Sequence, residues 1–168
     1  ECQFDMCRVG VGLYGLQPAE TTVGVIDLEP AMSVRGRVTR VVYPEVGAGV
    51  GYGMTYRVPK RNVQIATVPI GYADGLSRTL SNNMDVIVNG RRQRQVGNIC
   101  MDQFMFAVDV NTTRTYCSTP EIREGDVVTV IGADGDERIT ADEMARLRGT
   151  INYEVVCGFG MRLPKVFV

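Results

Sequence analysis

The dipeptide Asn89-Gly90 limits the fold more than any other feature of this sequence, because it separates the apolar run Val86-Ile87-Val88 from a second β-rich run at residues 92–96. Both residues tolerate the positive φ that a two-residue hairpin turn demands, so the flanking runs are expected as adjacent antiparallel strands. Short β-rich runs broken by Gly, Pro and Asn recur on either side. They predict strands over residues 32–43, 62–69, 84–89, 92–96, 103–110 and 126–132. The fold class that follows is mainly β, an antiparallel barrel or Greek-key-like arrangement, with one or two short helices. One helix can be placed. Thr140 followed by Glu143 forms a capping box, Ile139 is set to staple the first turn, and Gly149 closes the segment ADEMARLR.

Its 168 residues suffice for one domain with a real core. Residues 1–16, with glycines at 10, 12 and 15, end before Gln17-Pro18 and read as a joint, leaving 17–168 as the domain proper. Residues 111–122 read as a polar surface loop. A net charge of -1 with 22% charged residues gives no electrostatic footprint for nucleic acid or a membrane surface. No apolar run is long enough for a membrane span or a signal segment, and five scattered cysteines lack any CxxC pairing. A reducing cytoplasm is the expected setting.

Two scarcities restrict the chemistry. The chain has no His, which excludes imidazole acid-base work, Ser-His or Cys-His nucleophiles and His-ligated metals within it. Lys60 and Lys165 are its only lysines against sixteen arginines, and each follows a proline. Neither position reads as the desolvated pocket that a covalent carbonyl-trapping lysine needs, so such an amine must come from elsewhere.

Tyr52, among glycines in Gly49-Val50-Gly51-Tyr52-Gly53, and Tyr72, where an apolar run hands over to Ala73-Asp74-Gly75, are candidate proton carriers or hydrogen-bond donors. The plainer reading is that each packs as a lid on its turn. Met101-Asp102 reads as a turn leading into a strand, with the Met buried. Arg91, Arg92 and Arg94 read as a solvated face, since no aromatic residue alternates with them as in a nucleic-acid platform. Arg8 with Gly10 and Gly12 makes a weak anion-binding turn. Asp134, Asp136 and Glu137 lack calcium-loop spacing and read as a hairpin tip, so no metal site is expected.

Taken in order, the strings RVGVGLYGL (8–16), VGYG (50–53), IATVPIGYADG (65–75), ICMDQ (99–103) and GTINYE (149–154) resemble alanine racemases from end to end. The resemblance implies the C-terminal β-domain of an enzyme whose N-terminal α/β barrel, absent here, holds pyridoxal 5'-phosphate through a lysine this chain does not contain. Residues 1–16 then correspond to the last barrel segment and the joint. By resemblance, Tyr52 is the catalytic tyrosine delivered across a homodimer interface, Arg8 faces the cofactor's pyridine nitrogen, and Gly10, Val11 and Tyr153 meet its phosphate. Tyr72 and the Met101 N–H correspond to substrate-pocket groups, and Arg78, Asn98, Asp102 and Ile151 to an access corridor.

The implied activity is interconversion of L- and D-alanine for cell-wall precursors, with the isolated domain inactive and no membrane or nucleic-acid contact from it. Asn98 departs from the arginine common in the family, which removes a corridor charge. A full phenol at Tyr153 crowds the pocket in favour of alanine, although such crowding rejects serine only moderately. Two other readings are the racemase part of a serine/alanine racemase linked to glycopeptide resistance, and a non-enzymatic β-barrel binding module, for instance for RNA.

Overall fold

The computed structural model describes residues 4–110 and 121–167. The loop expected at 111–122 lies outside them except for its last two residues, and Ile122 there is buried rather than on the surface. The buried Gln64 amide holds it, accepting from the Ile122 N–H at 2.9 Å and donating to its carbonyl at 3.2 Å.

Among the described residues ten strands and two α-helices follow one another as β1 (Val34–Arg37), β2 (Arg40–Val42), β3 (Gly49–Val50), β4 (Tyr56–Arg57), β5 (Val63–Val68), β6 (Asp85–Val88), β7 (Arg91–Val96), β8 (Phe104–Asp109), β9 (Val127–Asp134), β10 (Glu137–Ile139), α1 (Ala141–Arg148) and α2 (Asn152–Gly158). The main sheet is antiparallel in the order β1-β9-β6-β7-β8-β5-β2, with β10 added to β9. The strand expected at 32–43 is divided into β1 and β2. Val38 still exchanges backbone bonds with the β9 side through Asp126 and Gly125, whereas Thr39 already donates to Thr67 of β5. One stretch of chain thus supplies both end strands of the sheet.

Alternation along the strands produces two apolar clusters. On β8, Phe104, Phe106 and Val108 enter the larger cluster with Ala66, Val68, Met84 and Val86, and α1 adds Met144 and Ala145. Met105 points the other way, into a smaller cluster with Val50, Val58, Val63, Ile65 and Val96. The short hairpin β3–β4, invisible in the sequence pattern, covers that outer cluster. Its tip carries Tyr52.

Asn89 and Gly90 adopt φ of 51° and 68°, and Val88 pairs with Arg91, as the two-residue turn requires. Asp134 and Glu137 flank a second two-residue turn between β9 and β10. The expected capping box is only half made: Thr140 Oγ1 accepts the Glu143 N–H at 3.0 Å, but the Glu143 carboxylate is taken by Arg92. Arg92 also donates to Glu137 at 3.0 Å and to the Arg138 carbonyl, and Arg94 pairs with Asp85 at 3.0 Å. Arg92 therefore cross-links the β6–β7 hairpin to β10 and α1, through carboxylates more than forty residues away that local spacing could not reveal, whereas Arg91 and Arg94 stay exposed as expected, Arg94 pairing only with its neighbour on β6. Gly149, at φ 70°, closes α1. A second helix, α2, follows directly from its N-cap Ile151. Residues 10–16 are docked on the sheet, since Val11 and Leu16 belong to the larger cluster and the Ala31 N–H donates to the Tyr14 carbonyl.

Candidate active-site cleft

Three loops converge beside the outer cluster: the β3–β4 tip, the turn after β5 and the segment before β8. The tip is anchored from below by Val50 and Val58 and turned by Gly51 at φ 67°. A Cβ on Gly51 would lie 2.8 Å from the Met105 methyl, so glycine both turns the chain and permits the approach. Tyr52 is left 78% exposed, not folded down as a lid. Asn98 Nδ2 donates to the Tyr52 carbonyl at 2.8 Å and fixes the backbone from which the phenol projects.

The second loop is held against the third by main-chain bonds. Tyr72 N–H donates to Cys100 O and Ala73 N–H to Met101 O, both at 3.0 Å. The chains lie so close that a Cβ on Gly71 would fall 2.2 Å from Met101 O. Asp74, only 4% exposed, accepts the Gly71 N–H at 2.8 Å and closes the turn that presents Tyr72.

These loops surround an open cleft of about 510 Å³ lined by Tyr52, Tyr72, Arg78, Asn98, Ile99, Cys100, Met101, Asp102 and Gln103. The expected catalytic residue Tyr52, the expected substrate-pocket residues Tyr72 and Met101, and three expected corridor residues, Arg78, Asn98 and Asp102, thus share one concavity. Met101 is half exposed, contrary to the buried residue expected of a simple strand-leading turn; its N–H donates to no group among the described residues. The cleft therefore offers two phenols, a guanidinium, a carboxylate and an open backbone donor. That set suits a small zwitterion, with cationic and N–H groups for a carboxylate and phenols able to carry protons. Burial pushes the Cys100 thiol up from its usual range, against the smaller opposing influences of a backbone bond at Tyr52 and the charge of Arg78.

The remaining site residues lie elsewhere. Gly10 and Val11 open a 3₁₀ turn over Gly10–Tyr14 whose first N–H groups have no partner within the turn, and Arg8 just before it is exposed. Nothing would obstruct a Cβ at Gly10, so the backbone there is open to a ligand. Tyr153 stands exposed on the first turn of α2. Ile151 is exposed as its N-cap and does not line the cleft. Asn152 between them is buried and joins the two regions, donating to Gln17 O at 2.9 Å and to Asp142 at 2.8 Å.

Arg8, the Gly10 and Val11 N–H groups and the Tyr153 phenol are the donor types that a phosphate and a pyridine ring accept, so the residues present are chemically compatible with pyridoxal 5'-phosphate. It does not supply the covalent amine. Lys60 is engaged with Asp109 at 2.5 Å, and Lys165 lies exposed in the C-terminal tail. Among the described residues no cluster of three or more Cys, Asp or Glu could hold a metal, and no helix is long and apolar enough to cross a membrane.

Three residues at the cleft escaped the sequence reading. Cys100 and Gln103 sat inside a quoted motif but carried no separate signal. Arg162, which pairs with Asp74 and Asp102, belongs to none of the motifs.

Residues 31–167 match the family model for the alanine racemase C-terminal domain. The alanine racemases of Nostoc sp. and Synechocystis sp. are each 44% identical over 98% of this chain, which spans 40% and 42% of their lengths. The chain thus covers about two fifths of these relatives. Among solved structures, the Bacillus anthracis alanine racemase with bound L-Ala-P superposes with a TM-score of 0.82 at 40% identity, over 95% of this chain and 39% of that one. The E. faecalis alanine racemase gives 0.81 at 39% identity, over 92% and 39%. A β-domain with these pairings, matched nearly end to end, places the chain in the alanine racemase family as its C-terminal domain.

Proposed function

We propose that this chain is the C-terminal β-domain of a cytoplasmic, pyridoxal 5'-phosphate-dependent enzyme that interconverts L- and D-alanine, acting as a homodimer in which Tyr52 serves the partner's active site. The observation that carries the reading is the 78% exposed Tyr52 ring at the rim of a cleft shared with Tyr72, Arg78 and Met101. A ring so far out is free to reach a second surface placed against that cleft.

Racemisation needs a proton carrier on each face of a planar carbon, because one base tends to return the proton to the side it left. When bound, the cofactor withdraws electrons and weakens the Cα–H bond. Tyr52 Oη takes or gives the proton on one face, and a lysine outside this chain serves the other. The Met101 N–H orients the substrate carboxylate, while Tyr72 narrows the pocket. Arg8 would hold the cofactor's pyridine nitrogen through its guanidinium, a permanent hydrogen-bond donor. Gly10 and Val11 N–H groups and the Tyr153 phenol meet the phosphate. Residues 1–16 complete the preceding barrel, and residues 17–168 form the β-domain. Arg78, Asn98, Asp102 and Ile151 border the access route. By itself the chain lacks the amine and is inactive.

The test uses the full-length protein carrying Tyr52→Phe, incubated with each alanine enantiomer in D₂O. Inversion should fall at least ~100-fold, while one enantiomer still exchanges its Cα hydrogen through the remaining base. Undiminished inversion in the Phe variant would remove Tyr52 from the reaction.

A further inference from the structure

Arg162 lies in the tail that follows α2, far in sequence from every loop of the cleft, yet it reaches two of them. Its Nε is 3.2 Å from Asp74 Oδ1, and one of its terminal amino groups donates to Asp102 Oδ1. Asp74 uses its other oxygen to accept the Gly71 N–H at 2.8 Å, and its carbonyl accepts the Gly160 N–H at 3.3 Å. The tail is pressed against the same turn, because a Cβ on Gly75 would lie 2.3 Å from Gly158 O.

An arginine half exposed and paired with one surface carboxylate contributes little. Arg162 differs in that Asp74 is buried, and a buried carboxylate with a bound cation is held far more firmly than a surface pair. The planar guanidinium then spans two carboxylates on different loops, a geometry that a point charge cannot reproduce.

We propose that Arg162 is a positioning residue, fastening the turn that presents Tyr72 to the segment that presents Met101 and Asp102 and so fixing the distance between the two walls of the cleft. It also offsets the half-exposed Asp102 charge in a lining that receives a substrate carboxylate. Because Arg162 sits just beyond α2, the tail connects the Gly158 end of that helix, opposite the first turn that bears Tyr153, to the cleft. The functional half of this inference rests on reading the cleft as the substrate site; the structural half does not.

Both halves are read in the full-length protein with bound cofactor. In Arg162→Ala, hydrogen–deuterium exchange of peptides covering residues 70–76 and 98–104 should accelerate ~10-fold, with strand β6 unchanged. The KM for alanine should rise ~10-fold while kcat changes less than about threefold, since the ground-state walls loosen but no proton carrier is lost. Arg162→Lys should recover part of both effects. In Asp102→Asn, adding Arg162→Ala should raise KM by clearly less than in the unaltered protein. Unchanged exchange in both peptides overturns the clamp. A uniform loss of thermal stability and kcat with no change in KM overturns the positioning role and leaves a merely structural one. Accelerated exchange in a protein that never racemises alanine would uphold the clamp and sink the functional reading on which the KM effect depends.

Discussion

The Arg92 corner and the Tyr52 cleft are assembled from the same materials, tight turns and charged side chains brought together from distant parts of the chain, yet they treat polar groups in opposite ways. At the corner, Arg92 divides its donors among Glu137, Glu143 and the Arg138 carbonyl, and the Asn89-Gly90 turn gives its Gly90 N–H to Asp134 at 3.0 Å. The partnership is close enough to raise the Arg92 pKa further, chiefly through its bond to Glu143. In the cleft the framework is equally tight, but the Tyr52 ring and the Met101 N–H are turned outward and have no partner among the described residues. Groups satisfied inside the fold can only stabilise it. Groups left unsatisfied by a rigid framework are available to something else.

That contrast can be broken by crossed substitutions in the full-length protein. The largest effect is expected from Tyr52→Phe, which should cost at least ~100-fold in racemisation while shifting stability by less than ~0.5 kcal/mol, as for an exposed site. A matching drop in thermal midpoint would mean that the ring packs against something after all. Next comes Gly71→Ala, whose methyl would strike the Met101 and Cys100 carbonyls and force the two loops apart. It should cost about 3 kcal/mol in chemical denaturation, at the upper end for overpacking. Tolerance of alanine there would show that the cleft framework yields.

Arg92→Ala should reverse the Tyr52 pattern. Stability is expected to fall by about 1–2 kcal/mol, discounted because Glu137 stays partly exposed, with racemisation unaltered. Lost activity with retained stability would erase the distinction between the two regions. The smallest effect concerns Cys100. Its thiol is raised by burial, so less of it is thiolate at neutral pH. Alkylation followed by mass spectrometry should modify the exposed Cys7 and Cys157 first, and Cys100 should react appreciably only as pH climbs above the ordinary thiol range. Early labelling of Cys100 at neutral pH would mean that the cleft floor opens.

How legible the molecule was from its residues depended on the reach of each signal. The Asn89-Gly90 turn, the Thr140 cap and the Gly149 stop came through because each is decided within a few residues. The six predicted strands appeared with ends shifted by one or two residues, apart from the first, where a nine-residue run had to serve both ends of the sheet. Strands β3 and β4 were missed because two-residue pairings carry no periodicity. The helix α2 had no side-chain cap to announce it. Glu143 shows a local rule losing to a distant partner: the spacing favours a reciprocal cap, but a guanidinium brought in from β7 offers two charge-assisted bonds.

Local chemistry therefore belonged to the sequence: where the chain turns, which runs extend, and which residues hold phenols, guanidinium groups or no imidazole at all. Tertiary structure alone decided that Tyr52 faces outward, that Tyr72 and Met101 line one cleft, and that Arg162 reaches both loops from a distant part of the chain. The reason lies in the range of the forces. Backbone sterics act over neighbouring residues, whereas exposure and ion pairing exist only after distant segments have been closed onto one another and water has been expelled between them.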